Sequence, residues 1–281
     1  MNRLAAALAL AAATLAGAHG LALAHGPDAI FDPLTMDSHT PVSTLNVDFA
    51  YVAYEEPPNA DITVMGFTLS GQYVTPQGFG GYLSLPLSYL SGQNVLLGLA
   101  DDSELAIGNL ELGGLWSKYL TAHAAIVLHA GFALPTAADE GIAFFQSLAS
   151  SPRYGNLVQR VPNSSWFRMG VSPMGRAGKL FWRADVGLDL ALEEDDSDLS
   201  PIFRINVGGG IDLGSAHLLV ELVTNVVDDG RDDDSASTLA IGARFLSGNL
   251  RPGFGLLIPI DFDGLLFEPD FAITASLAVR L

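Results

Sequence analysis

The sequence predicts an all-β fold, an antiparallel transmembrane β-barrel of about twelve strands with both termini periplasmic. Three observations carry that prediction. Segments of about ten residues alternate apolar and polar positions along nearly the whole chain, and side chains alternate faces along a strand, so each segment has a greasy face and a polar one. The connections between segments are short and long in turn, as in barrels with short periplasmic turns and longer external loops. Outward aromatic residues gather at two levels: Phe132, Phe167, Phe203 and Phe271 near one set of strand ends, Tyr73, Trp116, Trp182 and Phe245 near the other. Two such girdles match the two interfaces of a bilayer.

The last stretch shows the pattern most plainly. Phe271, Ile273, Ala275, Leu277, Val279 and Leu281 alternate with Thr274, Ser276 and Arg280. From the other end, the first alternating stretch covers 43–54 and closes at Glu55-Glu-Pro-Pro-Asn59. The second covers 62–75 and turns at Pro76-Gln-Gly78, and the third covers 80–90 with Pro86 pointing to a bulge. The fourth, 104–116, sets Asn109 and Glu111 against Leu110, Leu112 and Trp116, with a turn at 117–119. The fifth, 120–134, places His123 and His129 inward, and 135–163 holds the longest loop. The sixth, 164–172, carries Arg168 and turns at 173–178. The seventh, 179–192, puts Arg183, Asp185 and Asp189 opposite a run of Leu, Val and Trp. The eighth, 202–213, and ninth, 216–227, carry Arg204 and Glu221 inward. The tenth, 237–246, carries Arg244, and the eleventh, 250–260, is interrupted by Pro252 and Pro259.

The start of the chain is different. Met1-Asn-Arg is followed by a small-residue apolar run to Leu23, and Ala22-Leu23-Ala24 fits a cleavage site, so 1–24 read as a signal peptide. Residues 25–42 are irregular and rich in Pro and Asp; they hang in the periplasm or fold into the barrel mouth. Residues 43–281 form the barrel.

Composition agrees with a membrane barrel. Hydrophobic residues make up 49% and charged residues 16%, with a mean hydropathy of +0.34. No later apolar run reaches the ~18 to 20 residues of a membrane helix. There is no cysteine, hence no disulfide and no catalytic thiol. The net charge of −18 excludes nucleic acid as a partner, since phosphates need Lys and Arg. Much of the acid lies in two runs, 193–198 and 228–234, which read as solvated external loops or as divalent bridges to lipopolysaccharide. Neither has the spacing of a calcium-binding loop. A secreted β-sandwich is the rival fold, and it gives no reason for the alternating loop lengths.

The candidate functional residues are the charges on inward faces. Glu111, Arg183, Asp185, Arg204, Glu221 and Arg244 are expected to line the lumen, either selecting solutes by charge or packing as ion pairs in a closed barrel. His123 and His129 are too far apart on one strand to share a metal, and no metal or other cofactor is expected. Gly208-Gly-Gly is followed by no helix, so it reads as a strand segment that permits curvature and close approach, not a nucleotide loop. Ser164-Ser-Trp-Phe-Arg168 is faintly similar to one motif of outer-membrane phospholipase A. No His here is followed by Ser-Asn-Gly, so the nucleophile–base pair of that enzyme is missing and no catalytic residues are assigned.

Ile107-Gly-Asn-Leu-Glu-Leu-Gly-Gly114, followed by His129-Ala-Gly-Phe-Ala-Leu-Pro-Thr136, resembles the MetA-pathway-of-phenol-degradation family of bacterial outer-membrane proteins. Leu219-Val-Glu-Leu222 and Gly242-Ala-Arg-Phe245 fit that pattern loosely. Ala137 stands where the family has Gly, and the chain ends in Leu281 in place of an aromatic. The resemblance implies a barrel that passes small hydrophobic or aromatic compounds without catalysis. The expected function is therefore a passive outer-membrane channel for small solutes, with outer-membrane lipid, lipopolysaccharide and the barrel-assembly machinery as partners. The alternative is a closed barrel that acts structurally or binds through its external loops, chiefly 135–163.

Overall fold

A computed structural model describes residues 31–54, 61–93, 103–137, 154–192, 200–228, 233–261 and 269–281. The expected signal peptide, most of the acidic runs and the centre of the longest connection lie outside these residues.

The strands are β1 (Thr44–Tyr54), β2 (Asp61–Val74), β3 (Phe79–Gln93), β4 (Ser103–Ile107), β5 (Glu111–Thr121), β6 (Ala124–Ala133), β7 (Trp166–Ala177), β8 (Leu180–Ala191), β9 (Ile202–Asp212), β10 (Ala216–Asp228), β11 (Asp233–Phe245), β12 (Leu250–Asp261) and β13 (Pro269–Arg280). Consecutive strands pair antiparallel, except that β5 pairs with β3 and not with β4, and β1 pairs with β13 (Val47 opposite Leu277), which closes the sheet. The β4 and β5 segments follow one another along β3, so the thirteen segments make a closed barrel of twelve staves. Pairing β1 with β13 joins the two ends of the sheet, as a hydrocarbon environment requires.

The broken stave has a physical cause. Pro86 has no N–H to give, and the pairing of β3 jumps from Ser84–Glu111 to Leu87–Ile107 across it. Gly108 instead donates its N–H to the Pro86 carbonyl at 2.9 Å. The expected single strand over 104–116 is thus two pieces with residues 108–110 stepping out between them.

Two turns also lie later than the sequence pattern suggests. Pairing of β5 with β6 continues past Ser117, and β7 runs through Pro173 to Ala177. In the second case the turn is made at Gly178, whose φ of +61° is a left-handed geometry that glycine adopts without strain. By contrast, Pro252 and Pro259 do not end β12, which pairs on both sides.

Short connections gather at one end of the barrel, together with the start of β1 and the end of β13. Longer ones gather at the other. Outward side chains in between are apolar and exposed, among them Leu83, Leu112, Leu128, Trp182, Val186, Val220 and Ile273. Inward ones are polar and buried, among them Gln72, Arg168, Asp185, Asn206 and Thr274. That inversion of a soluble protein's arrangement suits a wall with lipid outside.

Candidate functional site

Among the described residues, two segments that are not part of the wall fill the lumen. The first is the stretch before β1. Residues 31–42 adopt neither helix nor strand and run inside the barrel, with Phe31, Leu34, Thr35, Met36, Asp37, His39 and Thr40 all buried. Asp32 reaches Arg280 (2.7 Å) and Thr40 reaches Gln72 (3.3 Å), both at the short-turn end. Asp37 between them lies deeper, against Arg168 and Arg204, so the segment dips in and turns back.

The wall grips this segment by its backbone. Both oxygens of Glu221 accept consecutive N–H groups, from Leu34 (2.6 Å), Thr35 (2.8 Å) and Met36 (3.0 Å). Arg244 does the converse, donating Nε to the Asp32 carbonyl (3.1 Å) and Nη2 to the Pro33 carbonyl (2.5 Å). Gln72 donates to the Thr40 carbonyl at 2.7 Å. Together these satisfy polar backbone that would otherwise be buried without partners, a penalty of about 1–3 kcal/mol per group.

Apolar contacts complete the grip. Phe31, Leu34 and Met36 pack with Phe181, Leu219 and Val223 of the wall. The Phe31 and Phe181 rings meet edge-on at 5.5 Å. Glycines clear the space: a Cβ on Gly208 would stand 2.7 Å from Phe31 Cζ, and one on Gly242 2.6 Å from Leu34 Cδ1.

At its apex the segment joins a buried ion network. Asp37 and Asp189 each bind both Arg168 and Arg204; Arg204 Nε lies 3.0 Å and Arg168 Nε 3.2 Å from Asp189 Oδ1. Arg168 also binds Glu111, which accepts from Tyr82 Oη at 3.0 Å and from the Gln159 amide. Asp185 holds Ser172 and lies 3.4 Å from His129 Nε2. The His129 ring stacks on His39 of the N-terminal segment, centroids 4.0 Å apart. Buried charges persist in such a site because each is paired and hydrogen-bonded.

The second segment comes from the opposite end. The long connection between β6 and β7 forms a short 3-10 helix, Tyr154–Gln159, and sends Val158, Gln159 and Arg160 into the lumen. Asn109, in the gap of the broken stave, anchors it: Nδ2 donates to the carbonyls of Val158 (3.1 Å), Val161 (2.6 Å) and Ser164 (3.3 Å), while Oδ1 accepts from the Ala137 N–H (3.0 Å). Residues 108–110 step out of the ladder where this segment is held.

All six residues singled out from the sequence are inside the barrel and buried. Glu111, Asp185 and Arg204 belong to the ion network. Glu221 and Arg244 are the backbone clamps. Arg183 lies 3.8 Å from Asp185 and 3.2 Å from the Ser172 hydroxyl through Nη2. His123 lies in the exposed β5–β6 turn, away from His129, and His217 packs on Phe181 at 4.6 Å. Among the described residues, no group of three or more His, Asp or Glu is arranged for a metal ion. The sequence pattern puts Asn109 on the polar face but does not find Asp37, His39 or Gln159 as lumen residues. All three lie in segments without period, so no alternation marks them.

Beside the N-terminal segment lies a cavity of about 60 Å³, room for a few waters. Its far wall is hydroxyl- and amide-rich: Thr44, Asn46, Asp48, Thr68, Ser70 and Gln72. The segment therefore divides the lumen, with the arginine-rich side (β7–β9) occupied and the polar β1–β2 side, where Asp48 is the charged residue, retaining free space.

No family model matches the chain, and no curated protein matches it. Its fold is that of solved outer-membrane barrels. An outer membrane channel from Pseudomonas putida F1 superposes with a TM-score of 0.65 at 12% identity, covering 90% of this chain and all of that one. LpxR from Salmonella typhimurium gives 0.49 at 9% identity over 85% of this chain and all of that one. With its inverted polarity and closed sheet, this chain is a β-barrel of the bacterial outer membrane.

Proposed function

We propose that the protein is a passive, non-catalytic channel for small solutes, hydrophobic or aromatic ones among them, held closed at rest by residues 31–42. The observation that carries this reading is that the lumen is filled by segments outside the wall, bound through hydrogen bonds and ion pairs that water can replace. A barrel meant only as a scaffold is filled by side chains of its own strands. The solute class rests on the family resemblance of residues 104–136 and on the apolar patch within the lumen. Short turns and both termini are assigned to the periplasm, following the general rule for such barrels. The six inward charged residues act on solutes once the segment has moved, and on the segment until then.

Planar-bilayer recording of the protein and of a variant lacking residues 25–42 tests this. The reading expects small or rare steps from the first and large stable steps from the second. An inserted but silent deletion variant would overturn it, in favour of a surface-binding role through the external loops.

A further inference from the structure

The N-terminal segment offers the wall two kinds of group around one glycine. Gly208 on β9 lies between two charged inward residues in the sheet, Arg183 of β8 on one side and Glu221 of β10 on the other. The Phe31 ring fills the space over that glycine, fully buried against Phe181. Glu221 is satisfied by three N–H donors of the same segment. Arg183 is not satisfied: it is fully buried, and its Nε and Nη1 have no hydrogen-bond partner among the described residues. A buried guanidinium with unused donors is costly unless an acceptor sometimes occupies them.

A molecule that replaced the segment here would need an aromatic ring for the place of Phe31 and an N–H donor, preferably cationic, for Glu221. It would also use a carboxylate on Arg183, a pairing for which the guanidinium fork is suited. Resting on the channel reading above, we propose that this is a binding site for a zwitterionic aromatic amino acid, and that this ligand and residues 31–42 exclude one another. The ring sits over Gly208 beside Phe181, the ammonium on Glu221 and the carboxylate on Arg183. Asp185, 3.8 Å from Arg183, disfavours a second negative charge on the ligand. Arrival of the solute then releases the segment, so the channel opens to the solutes it carries. A ligand shifts such an equilibrium only through its difference in affinity for the two states, and this one binds only the released state.

The chain has no cysteine, so Thr35→Cys places a single thiol where a buried hydroxyl has no partner, and its modification by a small methanethiosulfonate reagent reports release of the segment. L-phenylalanine at ten times its dissociation constant for the released state is expected to speed modification about tenfold, because the released population grows as one plus that ratio while the closed state predominates. L-alanine, benzoate and phenethylamine, each lacking one of the three groups, fall short of it. In Arg183→Gln the advantage of L-phenylalanine over phenethylamine disappears. Arg183→Lys keeps a charge for Asp185 while losing the fork, and it decides the matter if the first variant does not insert. Equal effects of L-phenylalanine and L-alanine, or an Arg183 variant that responds as the unsubstituted protein does, would overturn the proposal. Conductance of the 25–42 deletion separates the two readings: large steps there with no response of the thiol to L-phenylalanine reject this site and leave the channel intact.

Discussion

Asp37 and Asp189 are bridged by the same two guanidinium groups, those of Arg168 and Arg204. Asp189 belongs to the wall and Asp37 to the segment inside it, so the pairing is a latch. Removing one partner from a buried ion pair costs about 3–5 kcal/mol, because the remaining charge is left without compensation. Asp37→Asn removes the mobile half, and that cost falls on the closed state alone. Larger or more frequent conductance steps are expected, with heat-dependent gel migration unchanged because no strand pairing involves Asp37. Unaltered currents in the variant would show that the latch does not hold the segment.

The division between what the sequence shows and what it hides follows the same line. Wall residues obey a period of two imposed by the strand, and one face must meet lipid, so Arg183, Asp185, Arg204 and Glu221 are placed inward by pattern alone. Asp37 obeys no period. Its place depends on Glu221 and Arg244 gripping neighbouring backbone groups, and a backbone N–H looks the same in every sequence. Asn109 is placed inward by the alternation, but its role as an anchor is hidden. The alternation through 104–116 is intact, but the break in the strand comes from Pro86 on the neighbouring stave and from the carbonyls of 158–164, both remote in the chain.

The run Gly208-Gly-Gly210 makes the role of glycine testable within one strand. Gly208 faces the lumen, where a Cβ would stand 2.7 Å from Phe31 Cζ. At Gly209 the nearest atom to a Cβ is the Phe181 carbonyl oxygen at 3.3 Å. Gly208→Val is therefore expected to expel Phe31 and raise conductance, while Gly209→Val leaves conductance near that of the unsubstituted protein. Both substitutions suit a strand. If the two variants gave the same currents, the glycine cradle under Phe31 would have no part in closure.

Asn109 holds the other end of the lumen through four hydrogen bonds of one side chain, and alanine keeps none of them. At about 1 kcal/mol net for each neutral bond, Asn109→Ala weakens the docking of residues 157–164 by a few kcal/mol. Limited proteolysis should then cut the β6–β7 connection faster, and faster cutting at Asn109→Ala but not at Thr75→Ala, in a short turn, would locate the effect. Equal protease resistance would remove Asn109 as the anchor.

Ion selectivity should separate the two sides of the lumen. Asp48, on β1, lines the cavity beside the N-terminal segment, whereas Arg183 and Arg204 are buried on the occupied side. A fixed charge acts most strongly on ions that pass close to it, because solvent screening weakens it with distance. In the closed state, Asp48→Asn should move the reversal potential in a salt gradient toward lower cation preference, without enlarging the steps. Neutralising Arg204 should do the reverse: it removes a partner of Asp37, so steps grow, and selectivity changes only as the opened side begins to conduct. A reversal potential that ignores Asp48→Asn but shifts with Arg204→Gln at unchanged step size would place the ion path along β7–β9 and contradict the division of the lumen drawn from the cavity.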